Sequence, residues 1–134
     1  MNDYDFKSSI CTSISQSERL MALGLKSDTA DMAIEQDLES TYEAYYISAY
    51  PPSKKGIPAW TLDRLMELMP YSIEMHHAIW CLQISRGFVR YAKIGKEKVY
   101  VGFFQRPNTY DAVVDCIEWL IKDVHFEPDY LTNL

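Results

Sequence analysis

The stretch HAIWCLQISRGFVRYAKIGKEKVYVGFF, residues 77–104, decides the fold. It holds three runs that are rich in β-branched and aromatic residues, which favour strands. Arg86-Gly87 and the loop GKEK at 95–98 separate the runs, and both are typical of turns between antiparallel strands. The stretch therefore predicts three consecutive antiparallel strands, HAIWCLQIS (77–85), FVRYAKI (88–94) and VYVGFF (99–104).

Two amphipathic patterns flank these strands, one on each side. Apolar residues spaced three and four apart predict a helix at 61–69, with Thr61 as its N-cap. The same spacing predicts a helix at 109–123, which either Asn108 or Thr109 caps. Each apolar stripe needs a sheet face to cover, so the helices are expected to pack on the strands.

A shorter helix is predicted near the beginning of the chain, at about 16–23. Ser15 and Glu18 have the spacing of a capping box, so Ser15 is the expected N-cap. Gly24 suits the position that follows the last helical residue, because this position often needs a positive φ.

Residues 27–50 fit two patterns, since their apolar residues have helical spacing while YEAYYISAY is rich in strand formers. We predict a strand at 42–49. The complete pattern indicates an α+β fold, a two-layer sandwich with one antiparallel sheet of about four to five strands. We expect one domain over 1–134, with disordered ends at 1–9 and 127–134.

Composition narrows the class of protein. The 134 residues are 48% hydrophobic and 24% charged, which is ordinary globular usage, and the net charge is −6. That charge disfavours general attraction to nucleic acid or anionic lipid. Cys11, Cys81 and Cys116 form no CxxC pair, so neither a disulfide framework nor a zinc site is indicated. With no secretory signal and no long apolar run, we expect a cytoplasmic protein without membrane contact, metal or cofactor.

The segment EMHHAIWC, residues 74–81, contains metal-binding residue types close together. On a strand, His76 and His77 point to opposite faces, and His77 and Cys81 lie about 13 Å apart. Neither pair can then share a metal ion. On a helix, positions four apart are neighbours and the site would be restored. We interpret the segment as the beginning of a strand, with His76 on the more apolar face.

Two groups of side chains are candidate binding surfaces. Exposed aromatic residues are enriched at protein interfaces, and an exposed strand edge permits a homodimer. The candidate protein interface comprises Tyr42, Tyr45, Tyr46 and Tyr50. Basic residues interleaved with the aromatic rings of Phe88, Tyr91 and Tyr100 suit phosphates and bases. The candidate nucleic-acid contacts are Arg86, Arg90, Lys93, Lys96 and Lys98.

The α-β-β-β-α order of the second half is shared with double-stranded-RNA-binding domains. However, Asp111 lies in the first turn of the last predicted helix and Asp115 follows it. These carboxylates would repel the phosphates that such a helix contacts. The common interpretation of the basic residues, a hairpin edge guarded by lysine, therefore remains open beside the nucleic-acid interpretation.

Four ordered blocks carry a resemblance that spans most of the chain: SISQSERLMALGL (13–25), TADM (29–32), IPAWTLDRLMELMP (57–70) and DAVVDCIEWLI (111–121). The chain resembles short uncharacterised proteins of Bacteroides-related gut bacteria, often found in prophage or conjugative elements. The resemblance implies an accessory role in a mobile element or phage. It transfers no activity and no site residue, because that family has no assigned catalytic residues.

The sequence therefore leaves three hypotheses about function. The first is a small non-enzymatic protein-interaction module with an unknown partner. The second is nucleic-acid binding through the basic hairpin at 86–98. The third is an enzyme with an unrecognised site, for which Glu74, His76 and His125 are the residues to inspect first.

Overall fold

The computed structural model of the protein describes residues 9–37, 44–95 and 99–132. In these residues, three α-helices and seven β-strands follow one another as α1 (Ile14–Ala22), β1 (Met32–Gln36), β2 (Tyr45–Ala49), β3 (Ile57–Ala59), α2 (Leu62–Leu68), β4 (Ser72–Met75), β5 (Ala78–Ser85), β6 (Phe88–Lys93), β7 (Tyr100–Gln105) and α3 (Thr109–Lys122). The strands form two antiparallel sheets, ordered β2-β1-β3 and β4-β5-β6-β7. The predicted α+β class is thus confirmed, with two sheets in place of the single one expected.

The larger sheet contains the three predicted strands in their predicted hairpin order. Its inner face is apolar, and Trp80, Val89 and Tyr91 are buried there. Helix α3 packs on this face, and the ring of Trp119 lies 6.1 Å from that of Tyr91 between centroids. Strand β4 was not predicted, because its four residues are too few to show a periodic pattern.

Local capping signals place two of the helices. The Thr61 hydroxyl accepts a hydrogen bond from the backbone N–H of Arg64 at the beginning of α2. The Asn108 side chain accepts one from the backbone N–H of Tyr110 at the beginning of α3. Each cap satisfies an N–H that has no partner within its helix, so both predictions are confirmed.

Helix α1 begins two residues earlier than predicted. The capping box is formed by Ser13 and Gln16, not by Ser15 and Glu18, so that prediction was wrong. Two overlapping sequences satisfy the same rule, and the helix uses the earlier one. With this beginning, Ser17 and Leu20 face inward, and the Ser17 hydroxyl lies 2.8 Å from the buried hydroxyl of Thr12.

The smaller sheet explains why residues 27–50 gave a mixed pattern. Strand β1 lies in its centre, and Ala33, Ile34 and Glu35 are all buried. A strand buried on both faces shows no alternation, so periodicity cannot identify it. Strand β2 lies within the predicted strand at 42–49, and positions 42–43 fall outside the described residues.

Trp60 connects the smaller sheet to the main core. Its side chain is fully buried directly after β3, and its indole N–H donates to the Thr29 hydroxyl at 3.0 Å. Its backbone N–H and C=O bond to the Thr12 hydroxyl and the Thr12 N–H. These bonds satisfy the buried polar groups that would otherwise carry a desolvation cost.

The segment at 127–132, which lies in the predicted disordered end at 127–134, is hydrogen-bonded to the region after α1. Leu131 forms a β-bridge with Leu25, and Thr132 N–H donates to the Gly24 carbonyl at 2.7 Å. A short 3₁₀ helix, Pro128–Tyr130, precedes this contact. None of the helices in the described part of the chain has the length and apolar character needed to cross a bilayer.

Candidate binding surface

The larger sheet has one face covered by helices and one face that carries exposed side chains. Strand alternation and the cross-strand register assign each side chain to a face. Cys81, Ala92 and Tyr100 form one row across the sheet, and Gln83 pairs with Arg90 in the next. We call this the outer sheet face, and its members from the last three strands include Ile79, Cys81, Gln83, Phe88, Arg90, Ala92, Tyr100 and Phe103.

Three aromatic rings and one guanidinium group form a continuous cluster on the outer sheet face. The guanidinium carbon of Arg90 lies 5.1 Å from the Phe88 ring centroid and 5.0 Å from that of Tyr100. The Phe103 ring lies 5.6 Å from Phe88 and 5.0 Å from Tyr100 between centroids. We call these four side chains the aromatic–arginine cluster. Cation–π attraction holds its positive charge among the rings.

The position of Arg90 is fixed from two directions. Its Nε donates to the side-chain oxygen of Gln83 across the strand pair at 2.8 Å, while the rings of Phe88 and Tyr100 flank the group. A guanidinium group has five N–H donors, so this bond leaves donors that can meet a phosphate or a base edge. These contacts place the guanidinium group among the rings without a ligand.

A bulge in β7 creates the outward position of Phe103. The register between β6 and β7 shifts between Val89 and Tyr91, whose partners are Phe104 and Val101. Gly102 has a positive φ of 57° inside this irregularity, a conformation that glycine adopts at little cost. The extra residue lets Phe103 join the outer rings, while Phe104 packs inward against Trp119.

Charge is unevenly distributed along the chain. Residues 76–110 contain six Lys or Arg and a single acid, Glu97, whereas the rest of the chain has seven basic and eighteen acidic residues. The net charge of −6 therefore averages over a positive region and a strongly negative one. Electrostatic attraction acts locally at a surface, so the average is a poor guide to what the outer sheet face attracts.

The two acids that opposed nucleic-acid binding lie on the other side of the sheet. Asp111 and Asp115 belong to α3, which covers the inner face. Asp115 is also paired, at 2.9 Å with Arg19 and 2.8 Å with Arg106. Repulsion of phosphates by these two acids therefore concerns the helix layer and not the outer sheet face.

The predicted nucleic-acid contacts separate in the structure. Arg90 belongs to the aromatic–arginine cluster, and Arg86 is exposed in the adjoining β5–β6 turn. Lys93 is half-buried and pairs with Trp80, a residue of the inner face. Lys96 and Lys98 lie outside the described residues.

The histidine pair forms a turn and does not belong to a strand. His76 and His77 have φ values of 51° and 59°, and they connect Met75 to its partner Ala78 as a two-residue hairpin loop. The prediction that strand 77–85 begins with His77 was wrong by one residue, and the alternation argument cannot apply to a turn. Both histidines are exposed, so His76 does not lie on a buried apolar face.

A groove beside these histidines is lined by Glu74 to Ile79, six consecutive residues of a single hairpin. Active sites need polar groups that converge from several segments. His125 instead packs on the Trp119 ring at the end of α3, with 5.8 Å between centroids. Within the described residues, no three His, Cys, Asp or Glu side chains are placed to hold a metal ion.

The candidate protein interface lies on an edge strand. Tyr45 and Tyr46 are neighbours on β2, so they point to opposite faces, yet they are 49% and 54% exposed. Tyr50 follows the strand and is also exposed, whereas Tyr42 lies outside the described residues. Both faces of this strand are therefore open in the described part of the chain.

Phe88 and Tyr100 were predicted to lie among the basic residues, but Phe103 was not predicted. Tyr91 was predicted to lie with them, and it is instead fully buried on the inner face. The available signal was Gly102, because a glycine inside a strand pattern often marks a bulge.

Comparison of the chain with protein-family models, with curated proteins and with solved structures finds no match.

Proposed function

We propose that this protein binds single-stranded nucleic acid through the outer sheet face. The observation that carries the proposal is the aromatic–arginine cluster, in which Arg90 lies about midway between Phe88 and Tyr100, at 5.1 and 5.0 Å. Tyr100 and Phe103 are 42% and 38% exposed, so a base can stack on them from solvent.

Single strands fit this surface better than duplexes do. Sheet faces that bind single-stranded RNA present aromatic rings on which unpaired bases stack, with Arg or Lys beside them for the backbone. In a duplex the bases stack on one another and offer only their edges in the grooves. Rings on a broad sheet face cannot enter those grooves as a helix or a ribbon does.

The charge distribution supports the same choice over a protein ligand. Aromatic rings and arginine are also common at protein interfaces. Here, however, the strands that carry the cluster belong to the segment with six basic residues and one acid. Of these charges, Arg90 lies on the outer sheet face and Arg86 lies in the adjoining turn, while Glu74 of β4 is placed on the same face by the register. A polyanion gains from the two arginines, whereas an average protein surface, with charges of both signs, gains less.

The direct test is fluorescence anisotropy with labelled oligonucleotides: single-stranded RNA, single-stranded DNA and a duplex of the same sequence. We expect both single strands to bind more tightly than the duplex. Phe103→Ala should weaken binding about 5- to 150-fold, since stacking contributes about 1–3 kcal/mol per base. Tyr71→Ala is the matched control, because Tyr71 is 79% exposed and lies outside the outer sheet face.

Charge variants test the second component of the interface. Arg90→Glu should abolish measurable binding, because it removes the cation and places a carboxylate among the rings. Lys55→Glu makes the same change of charge at an exposed residue near the smaller sheet and should leave binding unchanged. The salt slope should be about −0.7 per phosphate contacted, as for other single-strand binders. Absence of binding at low salt, or equal losses in both charge variants, would overturn the proposal.

A further inference from the structure

The outer edge of β2 offers backbone groups with which no described strand pairs, although the Ala49 carbonyl has a long contact, 3.5 Å, from the Ser48 hydroxyl. In the β1–β2 ladder, Tyr50 N–H donates to the Asp31 carbonyl and Asp37 N–H donates to the Ala44 carbonyl. Antiparallel ladders alternate, so Ala44, Tyr46, Ser48 and Tyr50 direct their backbone groups toward β1. Tyr45, Ile47 and Ala49 therefore direct theirs away, and in the described part of the chain no strand pairs with that edge.

Within β2 itself, this edge lacks the protection that strand edges usually have, and the prolines Pro51 and Pro52 lie beyond the end of the strand. Lysine, proline or inward charges normally block edge-to-edge pairing. Residues 44–50, AYYISAY, contain no charged residue at all, although the chain as a whole carries −6. Two copies can therefore bring these segments together without electrostatic repulsion between charged side chains of the segments.

We propose that two copies of this chain pair through antiparallel β2 strands, with Ile47 opposite Ile47 of the second copy. This register is the symmetric one that pairs all three outward residues within the strand. The Tyr45 backbone meets that of Ala49 in the second copy, and the Ile47 backbone meets its own counterpart. Six N–H···O=C bonds would close the ladder and join the two three-stranded sheets into one of six strands.

Side-chain sizes fit the same register. Reading AYYISAY against its own reverse places every tyrosine opposite a small residue: Tyr45 faces Ala49, Tyr46 faces Ser48, and Tyr50 faces Ala44. Cross-strand neighbours lie about 4.5–5.5 Å apart between Cβ atoms, so large-on-small pairs cover both faces without crowding. A second copy is therefore a better occupant than an arbitrary strand, because the segment is complementary to itself.

The pairing surface is short, so the dimer is expected to be weak and to dissociate on dilution. Stable interfaces bury about 1,600 Å² in total, and one pair of five-residue strands supplies less than this. Sedimentation velocity over a dilution series should show a reversible monomer–dimer equilibrium. Ile47→Lys should shift it to monomer, because the two-fold axis places two like charges face to face. Ile10→Lys is the matched control, since Ile10 is exposed and lies outside β2.

A mixing experiment identifies the register. Ile47→Lys and Ile47→Glu should each be monomeric alone, and an equimolar mixture should recover the dimer, since opposite charges then meet at the centre. Circular dichroism of each variant verifies that the fold is intact. A wild-type chain that is monomeric at every concentration would overturn the proposal. A dimer that survives both variants, or a mixture that stays monomeric, would also overturn it. Because neither variant touches the outer sheet face, the outcome is independent of nucleic-acid binding.

Discussion

The indole of Trp119 lies directly against Gly102, so that a Cβ on residue 102 would come within 2.8 Å of a ring carbon. Gly102→Ala must therefore move a partly buried ring and also hold alanine at a φ of 57°. Overpacking and backbone strain together should lower the free energy of unfolding by about 2–4 kcal/mol. Urea denaturation followed by circular dichroism measures this change.

Gly95→Ala is the control that separates the two causes. Gly95 also has a positive φ, 84°, but no described atom beyond its chain neighbours lies within 4 Å of an added Cβ. Backbone strain alone should cost about 1 kcal/mol there. If Gly102→Ala lowers the free energy of unfolding no more than Gly95→Ala does, the contact with Trp119 does not contribute to the loss of stability.

Glu35 should make stability depend on pH. Ser53 donates two hydrogen bonds to its carboxylate, from the hydroxyl at 2.5 Å and from the backbone N–H at 2.7 Å. The hydroxyl bond first, and then the backbone bond, hold the pKa of Glu35 below its ordinary value. The stabilisation is thus present above the unfolded pKa, about 4.3, and is lost as the pH falls through the lower folded pKa.

The variant Glu35→Gln tests this linkage, because an amide does not titrate. We expect it to be less stable than wild type at neutral pH, and we expect the difference to shrink steadily as the pH falls below about 4. Urea midpoints at neutral and acidic pH measure it. A difference that stays constant with pH would show that the Ser53 bonds do not favour the charged form.

The three cysteines should differ sharply in reactivity toward a thiol reagent at mildly alkaline pH. Burial first, and then the charge of Asp115, raises the pKa of Cys116 to about 12, and burial likewise raises the pKa of Cys11. Both stay in the unreactive thiol form. Cys81 is only half-buried on the outer sheet face, so one thiol should react quickly in the native protein and three after unfolding.

That single reactive thiol also reports on the proposed ligand site. A bound oligonucleotide should slow the labelling of Cys81, since Cys81 shares a row with Ala92 and Tyr100. Cys81→Ser should remove the fast phase completely. Two fast thiols in the native protein, or no protection by a saturating single strand, would contradict this expectation.

The turn formed by His76 and His77 should lower the free energy of unfolding compared with a turn of preferred sequence. Both residues adopt a left-handed conformation, which costs a non-glycine residue about 1 kcal/mol or more. Replacing His76-His77 by Asn-Gly, the preferred sequence for such two-residue hairpins, should raise the free energy of unfolding by about 1 kcal/mol. Thermal unfolding measures the gain, and a loss of stability would mean that the histidines make contacts of their own.

The features that could be predicted from the sequence are those with local causes. Thr61 and Asn108 cap their helices because the cap and the N–H it satisfies lie within three residues. The β5–β6 turn at Arg86-Gly87 is also local, since Gly87 has a positive φ of 86°. Ser13 and Ser15 show the limit of such rules: both satisfied the same pattern, and the pattern alone does not distinguish them.

The features that could not be predicted depend on distant partners. Strand β1 is recognisable only through its neighbours β2 and β3, and the second sheet was missed for that reason. The candidate site was visible in part: Arg90, Phe88 and Tyr100 alternate in a basic segment. The outward position of Phe103 depends on a bulge in β7. The glycine in that bulge, Gly102, leaves room for the distant ring of Trp119. The net charge was a poor guide, because it sums the charges of all faces of the protein, whereas a ligand contacts only one face.

The burial of Trp60 at the junction of the two sheets has a spectroscopic consequence. Its indole is shielded from water next to the smaller sheet, whereas Trp80 belongs to the larger sheet and Trp119 packs beneath it. Total tryptophan emission therefore averages over two structural regions. In a Trp60→Phe variant the remaining emission comes from the larger sheet alone. The difference between the two unfolding curves would then show whether the two sheets come apart together or in succession.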